Sequence, residues 1–327
     1  MDHDSPQTGQ QSAPTDVICI MGPTACGKTA LAMELYPERD FQLISVDSAQ
    51  VYRGMDIGTG KPDPETLAQY PHQLIDIRDP AEAYSASDFR RDATTAIHAT
   101  RDAGKIPLLV GGTMLYFKVL RDGLADMPHA NPEVRLQIET LAANEGWEQV
   151  HARLAEVDPV AAERIHPNDP QRLQRALEVY LVSGRSMTEH HQQEQQSLKE
   201  TRPASPFRLH FFAIQPADRA QLHARIANRF HGMLEQGLVD EVSRLHERED
   251  LHEILPSIKS VGYRQVWQYL EGDLDYDGMV ERSIIATRQL AKRQLTWLRS
   301  WPDLLTLSES PAISIDKLLK YMDSISI

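Results

Sequence analysis

The feature that most constrains this chain is a short glycine-containing segment near its N-terminus. It follows the apolar residues 17–21 and precedes residues 30–36, which have the pattern of a helix. The eight residues are Gly22, Pro23, Thr24, Ala25, Cys26, Gly27, Lys28 and Thr29. This spacing between a strand and a helix is typical of phosphate-binding loops, whose backbone N–H groups surround phosphate oxygens. The sequence therefore predicts an α/β fold with a parallel sheet and a diphosphate site formed by these eight residues.

Two residues at the end of this loop add to what its backbone can bind. The side chain of Lys28 supplies a full positive charge, and Thr29 can place its hydroxyl on a magnesium ion. The helix that follows begins with free N–H groups and a partial positive charge, which favour an anion. A glycine-rich turn with an unrelated lysine is the alternative, and the flanking strand and helix argue against it.

Composition indicates the class of protein. The 327 residues suffice for one large or two ordinary domains, and 41% hydrophobic with 25% charged residues is typical of a soluble globular protein. No apolar run approaches the roughly 18 residues of a membrane span, and the N-terminus lacks a signal-peptide pattern. Cys19 and Cys26 give neither a disulfide framework nor metal-ligand spacing, which fits a reducing cytoplasm. Residues 1–15 are polar, and we predict a disordered tail there.

The distribution of charge is uneven along the chain. The net charge of −13 argues weakly against nucleic acid as a partner, because phosphates attract positive surface. Residues 282–299, however, form a predicted helix with no acidic residue. Its basic residues are Arg282, Arg288, Lys292, Arg293 and Arg299, and Gln289, Gln294, Trp297 and Trp301 interleave with or follow them. This local reversal favours a groove for a polyanion, with an ordinary solvated helix as the alternative.

An acidic residue follows the second predicted strand, Phe41–Val46. Asp47 stands directly after that strand, and Ser48, Ala49 and Gln50 come next. The carboxyl ends of strands are where open parallel sheets bind ligands, so we expect Asp47 to face the same crevice as the glycine loop. A helix N-cap or a loop turn is the alternative role for this carboxylate.

Glycines end the fourth predicted strand, at residues 106–110. Nucleotide hydrolases and many kinases have an acidic residue here that supports magnesium, whereas this chain has Gly111, Gly112 and Thr113. The two glycines favour a close approach of the backbone to a ligand, and Thr113 supplies an uncharged hydroxyl. The alternative role of Thr113 is to cap a helix.

A cation lies at the start of a later predicted helix. Arg219 falls in the first turn of the helix predicted over residues 219–236, where a positive charge opposes the helix dipole. We therefore predict that it binds an anion, with an ordinary surface arginine as the alternative.

The pattern changes to helices alone from about residue 126. Several proline-started helices run to residue 183, a polar segment covers residues 190–202, and a strand returns at Phe207–Ile214. We predict a core domain of residues 16–126 and 206–310, an all-helical insertion of residues 127–205, and a C-terminal tail of residues 311–327. The insertion contains two arginines and two glutamines near a helix start, for which a solvated face is the alternative. That segment is Gln171, Arg172, Leu173, Gln174 and Arg175.

Together these motifs resemble the tRNA dimethylallyltransferase family, also called the isopentenyl-tRNA transferases. The matching segments are residues 22–29, 47–52, 55–62, 72–80, 111–113, 172–175, 261–265 and 292–299. They follow the family's order over nearly the whole chain, so the combination is much more specific than the glycine loop alone. Cys26 departs from the family, where serine is frequent, but either small residue should leave the backbone contacts of the loop in place.

The resemblance implies a P-loop NTPase-like core and a helical insertion that binds the tRNA anticodon stem-loop. It implies transfer of a dimethylallyl group from dimethylallyl diphosphate to N6 of an adenine next to the anticodon, at position 37, with release of diphosphate. Asp47 is the expected carboxylate that takes the amine proton. In the family pattern, Thr113 and Arg219 add contacts to the donor opposite the loop.

The resemblance also implies cofactors, partners and a tRNA-binding surface. We expect Mg²⁺ with Thr29 as a ligand, tRNA and dimethylallyl diphosphate as partners, no membrane, and a monomer in the cytoplasm. The residues expected to contact tRNA are Asp47, Ser48, Ala49, Gln50, Thr113, Arg135, Gln171, Arg172, Leu173, Gln174, Arg175, Lys259, Gly262, Tyr263, Arg264, Gln265, Lys292, Arg293, Gln294, Trp297 and Arg299.

Two other functions remain open at this point. A small-molecule or nucleotide kinase with a helical lid explains the glycine loop and the insertion, but not the basic run at residues 292–299 or residues 47–50. An RNA-binding protein with a nucleotide switch explains the loop and the basic helix without any group transfer.

Overall fold

The computed structural model describes residues 14–124, 127–200 and 206–327, which belong to two compact units. The core unit contains residues 1–122 and 205–327, and the insertion unit contains residues 123–204. Residues 1–13 of the predicted tail lie outside the described residues, and Thr15 already begins a strand. Within the described part of the chain, no helix has the length and apolar content needed to span a bilayer.

The core unit is built on a six-stranded sheet in which all paired strands are parallel. The strands are β1 Thr15–Met21, β2 Phe41–Val46, β3 His72–Gln73, β4 Ile106–Gly111, β5 Phe207–Ile214 and β6 Leu305–Leu307. Their order in the sheet is β3-β2-β4-β1-β5-β6. This confirms the predicted α/β class and places β1, which leads into the glycine loop, near the middle of the sheet.

Fourteen helices accompany the sheet in the described residues. They are α1 Lys28–Leu35, α2 Pro64–Gln69, α3 Ala86–Asp102, α4 Met114–Asp122, α5 Pro132–Glu145, α6 Trp147–Val157, α7 Pro159–Arg164, α8 Pro170–Ser183, α9 Met187–Glu200, α10 Arg219–Glu235, α11 Leu238–His246, α12 Tyr263–Leu270, α13 Tyr276–Arg299 and α14 Pro311–Ser324. Helices α5 to α9 belong to the insertion unit, which contains no described strand.

Side chains of β1 alternate between two apolar layers, because successive residues of a strand point to opposite faces. Val17, Cys19 and Met21 pack with apolar residues of α3, α4, α11, α12 and α13. Ile18 and Ile20 pack with residues of α1 and α14 on the other face. A parallel sheet covered on both faces requires continuous apolar strands, which is why residues 17–21 lack polar positions.

The predicted C-terminal tail is wrong. Residues 311–324 form α14, and Leu318 and Met322 have no exposed surface. These residues are four positions apart and therefore lie on one face of the helix, where they join the apolar layer formed by α1. The segment is thus part of the core unit, together with the unpredicted strand β6.

The insertion unit has an apolar core of its own. Ile138, Val150, Leu154 and Leu177 pack together there with Leu173, which has no exposed surface. The prediction that Leu173 contacts tRNA is therefore wrong, because its side chain is enclosed by its own unit. Helix α5 begins as the sequence indicates, with the Asn131 side chain accepting hydrogen bonds from the N–H groups of residues 133 and 134.

Candidate functional site

A cavity of about 1220 Å³ opens in the core unit at the carboxyl ends of β1, β2 and β4. Its walls come from the glycine loop, from the segments that follow β2 and β4, from the segment before α12, and from helices α10 and α13. This is the edge at which open parallel sheets bind ligands. The site is described below from the loop outward.

The phosphate loop, residues 22–29, presents part of its length to the cavity. Thr24, Ala25, Gly27, Lys28 and Thr29 line the cavity, and α1 begins at Lys28. Gly27 has a φ of 91°, a left-handed conformation that favours glycine and turns the chain into the helix.

Three of the eight predicted diphosphate-binding residues do not line the cavity. Gly22, Pro23 and Cys26 are buried, and the Cys26 side chain belongs to the apolar layer beneath the loop. A Cβ added to Gly22 would lie 2.6 Å from the Cys26 sulfur, so the two residues pack against each other. Their role is to shape the loop from below, and the contribution of Pro23 is its carbonyl, which accepts a hydrogen bond of 2.7 Å from Lys28 Nζ.

Asp47 faces the cavity and also holds a turn. Its Oδ1 accepts hydrogen bonds from the N–H groups of Ala49 at 2.8 Å and Gln50 at 3.2 Å. Among the described residues, none donates a hydrogen bond to the other carboxylate oxygen. The turn and the cavity-facing role, which the sequence left as alternatives, therefore occur together. One carboxylate oxygen fixes the backbone while the other is available to a ligand.

A hydrogen bond links the segments that follow β2 and β4, beside Asp47. Thr113 Oγ1 accepts a hydrogen bond of 3.1 Å from the N–H of Ser48, and Thr113 lines the cavity. The glycines before it serve protein packing, since a Cβ on Gly111 would lie 2.0 Å from the carbonyl oxygen of Val46. Gly111 thus approaches β2, Gly112 approaches Gln294, and both glycines also line the cavity, so the predicted approach to a ligand stays a prediction.

The structure replaces Arg219 with another arginine as the anion-binding candidate. Arg219 is exposed and does not line the cavity, whereas Arg229, three turns further along α10, does. Nη2 of Arg229 lies 3.4 Å from the carbonyl oxygen of Thr59. Burial lowers the pKa of Arg229 from its ordinary value while the charge of Asp47 opposes that shift, and a guanidinium remains charged under all ordinary conditions. Arg219 therefore does not reach the cavity in this structure, and its contact with the donor stays a prediction.

A sequence signal for Arg229 was present but was not used. Leu222, Ile226 and Phe230 recur at helical spacing and form the buried face of α10. Arg225 and Arg229 each directly precede one of these apolar residues, so they lie at the edge of the buried face, where a side chain can reach a cavity.

A buried carboxylate holds the cavity wall at residues 56–60. Glu241 Oε2 accepts hydrogen bonds from the N–H groups of Asp56 at 3.0 Å and Ile57 at 2.9 Å. Its Oε1 accepts from the Gly58 N–H at 3.2 Å and from the Tyr263 hydroxyl at 2.5 Å. Burial and the neighbouring Glu241 raise the pKa of Tyr263, so its hydroxyl stays protonated and donates. Glu241 was not identified from the sequence, because nothing local marks it.

This wall meets Arg229 at a position that requires glycine. A Cβ on Gly60, whose φ is 61°, would lie 1.8 Å from Nη2 of Arg229. The guanidinium therefore rests against bare backbone, and the position of this segment sets the position of Arg229.

We predict that Glu241→Gln both destabilises the protein and weakens binding of the diphosphate donor that the family resemblance implies. An amide can accept at only one of its two terminal atoms, so at least one N–H or hydroxyl donor loses its partner. The free energy of unfolding should fall by about 1–3 kcal/mol, and KM for the donor should rise because the wall beside Arg229 loosens. Urea unfolding and steady-state kinetics measure these effects. Tyr263→Phe, which removes one of the four bonds, is the matched control and should have the smaller effect; unchanged stability and KM in Glu241→Gln would contradict the role.

Helix α13 contributes both cavity-facing and structural residues. Arg293 and Trp297 line the cavity, while Lys292 and Arg299 are exposed outside it. Gln294 is only 8% exposed, and its amide accepts from the Thr24 N–H at 2.9 Å and donates to the Gly112 carbonyl at 2.9 Å. Gln294 is thus a clamp between the phosphate loop and the end of β4, and because it also lines the cavity its tRNA contact stays a prediction.

The segment before α12 and the start of that helix also contain both cavity-lining and structural residues. Lys259, Gly262 and Tyr263 line the cavity, with Lys259 exposed. Gln265 is buried and its side-chain oxygen accepts from the Gly262 N–H at 2.9 Å, so it caps the helix, and its tRNA contact stays a prediction. Tyr263 is likewise buried, with its hydroxyl on Glu241.

Two arginines of the insertion unit that were predicted to contact tRNA pair with the same buried carboxylate. Arg135 Nε and Arg175 Nη1 donate to Glu178 at 2.9 and 2.8 Å, and the Glu178 side chain has no exposed surface. Although burial raises the pKa of Glu178, the hydrogen bonds from both arginines lower it by more. Gln171 and Arg172 are exposed, while Gln174 donates to Glu139 at 2.8 Å.

The fold and the cavity define a phosphate-binding α/β protein of the P-loop class. Residues 50–301 match the family model described as IPP transferase, and this is more than half of the chain. The chain therefore belongs to the IPP transferase family, whose members are prenyltransferases.

Solved structures of this kind are similar to the chain over nearly its full length. The full-length tRNA isopentenylpyrophosphate transferase of Bacillus halodurans is 32% identical, with 96% of each chain covered and a TM-score of 0.67. The tRNA delta(2)-isopentenylpyrophosphate transferase of Staphylococcus epidermidis is 30% identical, with 95% of this chain and 99% of that chain covered and a TM-score of 0.66. A eukaryotic dimethylallyltransferase acting on tRNA is 25% identical, with 95% and 80% covered and a TM-score of 0.74.

Proposed function

We propose that this protein transfers a dimethylallyl group from dimethylallyl diphosphate to N6 of the adenine at position 37 of tRNA. The observation that carries this proposal is that Asp47 and the phosphate loop face one cavity. In the reaction, the allylic C–O bond breaks and its electron pair leaves with diphosphate. The adenine nitrogen forms the new C–N bond and loses one proton to Asp47. Family membership and the named tRNA-modifying structures support the same chemistry.

The phosphate loop, Lys28 and Arg229 are suited to the leaving group. Bond cleavage builds negative charge on diphosphate, and preorganised donors around that charge lower the barrier. The Thr24 N–H already donates to Gln294, so we assign the diphosphate contacts to the amides of Ala25 and of residues 27–29, which line the cavity. Lys28 and Arg229 supply two positive charges from different walls of the cavity.

Asp47 is suited to the acceptor. The exocyclic amine of adenine is a weak nucleophile, because its lone pair is delocalised into the ring. A carboxylate that takes the proton as the C–N bond forms contributes rate acceleration by general base catalysis. The base must leave its stack to reach such a cavity, which costs a few kcal/mol and is offset by contacts inside it. We assign Ser48, Ala49, Gln50 and Thr113 to those contacts.

The cavity fits a magnesium ion bound with the donor. Among the described residues, no cluster of three or more His, Cys, Asp or Glu could hold a metal on its own. Mg²⁺ does not need one, since it keeps several waters and binds few protein ligands together with substrate phosphates. The hydroxyl of Thr29 at the end of the phosphate loop would hold it, and the ion would neutralise charge on the diphosphate.

We predict that Thr29→Val raises the Mg²⁺ concentration needed for half-maximal transfer several-fold. Valine keeps the shape of threonine but lacks the oxygen, whereas Thr29→Ser keeps the oxygen and serves as the control. Transfer rates across a magnesium titration measure the effect. Identical magnesium dependence in the valine variant and the wild type would contradict the assignment.

The RNA partner is assigned to three surfaces. These are the exposed residues Gln171 and Arg172 of the insertion unit, the exposed face of α13, and residues 259–264. Positive charge there steers RNA phosphates towards the site despite the net charge of −13. We propose that a monomer is active, and we place this activity on tRNA in the cytoplasm.

The deciding assay combines the protein, Mg²⁺, labelled dimethylallyl diphosphate and unmodified tRNA, followed by mapping of the RNA by mass spectrometry. Label at adenine 37 is the expected result, and RNA without label would sink the proposal. ATP turnover in the absence of tRNA would favour the kinase alternative. A biological output that survives loss of Asp47 would favour the nucleotide-switch alternative.

A further inference from the structure

A second cleft of the core unit lies between α12 and α13, outside the cavity, and has a volume of about 280 Å³. Arg264 and Gln268 of α12 line it, with Arg282, Ile285 and Gln289 of α13. None of its lining residues is acidic. The two arginines give it a charge of +2, in a protein whose net charge is −13.

Four of the five polar side chains of the cleft are available to a ligand, since that of Gln265 already accepts from the Gly262 N–H. Within the described ranges, the side chains of Arg264, Gln268, Arg282 and Gln289 form no ion pair and no hydrogen bond with the protein. By contrast, Arg135, Arg225 and Arg248 each have a carboxylate partner. Guanidinium and amide N–H groups that converge without acids suit a phosphate group, since Arg forms paired hydrogen bonds to its oxygens.

The cleft lies on the same face of α13 as the main cavity. Arg282, Ala286 and Gln289 line the cleft, and Arg293 and Trp297 line the cavity. Their spacing of three or four residues places them in one stripe on the helix surface. At 1.5 Å per residue, Arg282 lies about 16 Å along the axis from Arg293. On α12, Arg264 follows directly after the cavity residues Gly262 and Tyr263.

From this geometry we propose that the cleft binds a backbone phosphate of the RNA whose base occupies the cavity. The inference rests on the proposed tRNA activity and adds Arg282, Gln268 and Gln289 to the RNA-binding surface. A strand that leaves the cavity along the stripe brings a phosphodiester to the cleft within a few nucleotides. Phosphate contacts set the register of RNA, while the cavity selects the base. The role of the cleft is therefore to bind and position RNA, and it does not contact the donor.

The test compares Arg264→Gln, Arg282→Gln and the double variant with Lys105→Gln. Lys105 is an exposed lysine just before β4, at the amino end of the strand and therefore away from the cavity, so its replacement removes the same charge elsewhere. The measurements are Kd for unmodified tRNA at several salt concentrations, KM for dimethylallyl diphosphate, and the single-turnover rate at saturating tRNA.

We expect the double variant to bind tRNA roughly tenfold more weakly and to lose about 0.7 to 1 unit of salt slope per phosphate contact. Donor KM and the saturated single-turnover rate should stay within twofold, and Arg282→Lys should restore most of the affinity. Unchanged Kd and slope in the double variant, or an equal loss in Lys105→Gln, would overturn the inference. A raised donor KM with normal tRNA binding would also overturn it, because the cleft would then serve free diphosphate. Failure of the proposed function is seen separately, as a wild-type protein that leaves tRNA unmodified.

Discussion

Replacing Asp47 by asparagine is expected to slow dimethylallyl transfer by about 10²- to 10⁴-fold, the usual range for loss of a general base. Asparagine keeps the Oδ1 acceptor that holds the N–H groups of Ala49 and Gln50, so the turn should survive. It cannot accept the amine proton, however. Single-turnover transfer with saturating tRNA and donor measures this loss directly.

The affinity for tRNA and the midpoint of thermal unfolding show whether Asp47→Asn loses activity through the chemical step or through misfolding. We expect Kd for tRNA and the midpoint of thermal unfolding to stay close to those of the wild type. Asp47→Ala should lose transfer as well but should also lose stability, since it removes both turn hydrogen bonds. Transfer at the wild-type rate, or a large loss of tRNA affinity in Asp47→Asn, would reject the proposed role.

Replacing Arg229 by glutamine is expected to lower kcat/KM for the donor by about 10²- to 10³-fold, as for loss of one donor to a developing negative charge. Arg229 lines the cavity that contains Lys28 and rests against the backbone of Gly60. The loss should appear in both donor binding and the transfer rate, because the negative charge is present in the donor and grows as the bond breaks. Isothermal titration with dimethylallyl diphosphate and steady-state kinetics separate the two.

Arg219→Gln is the matched control for this experiment. It removes the same charge from the same helix, ten residues earlier, at an exposed position outside the cavity. We expect its kcat/KM to lie within twofold of the wild type. Arg229→Lys should recover only part of the activity, since lysine supplies the charge without the paired N–H groups. If Arg219→Gln were the more damaging variant, the assignment based on the cavity would be wrong.

The pattern of apolar residues along the sequence predicted most helices and strands of the core unit, because these elements are long or strongly patterned. The buried strands β1, β2, β4 and β5 are continuous apolar runs, and such runs mark strands covered on both faces. The three-residue strand β6 is too short to have a pattern, so it was missed. Helix α14 carries apolar residues at helical spacing, so its own pattern could have predicted it.

The parts of the candidate site that could be predicted are those formed by residues close together in the sequence. The phosphate loop has its signature in eight consecutive residues, and Asp47 directly follows a strand whose end had to reach the same edge. Arg229 and Glu241 were missed because their partners are distant in sequence: Arg229 meets Gly60, and Glu241 holds residues 56–58 and Tyr263. The clamp formed by Gln294 was missed for the same reason, since its partners are Thr24 and Gly112.

The sequence by itself determined the class of fold, the phosphate loop and the carboxylate of Asp47, because each of these follows from local spacing and from the rule that parallel strands end at one edge. Only the tertiary structure decided which arginine reaches the cavity and which polar residues of α12 and α13 are clamps. It also showed that the buried carboxylate of Glu241 holds the cavity wall at residues 56–60. These features depend on how helices pack against the sheet. The residues adjacent to a side chain in sequence do not determine which distant residues surround it after packing.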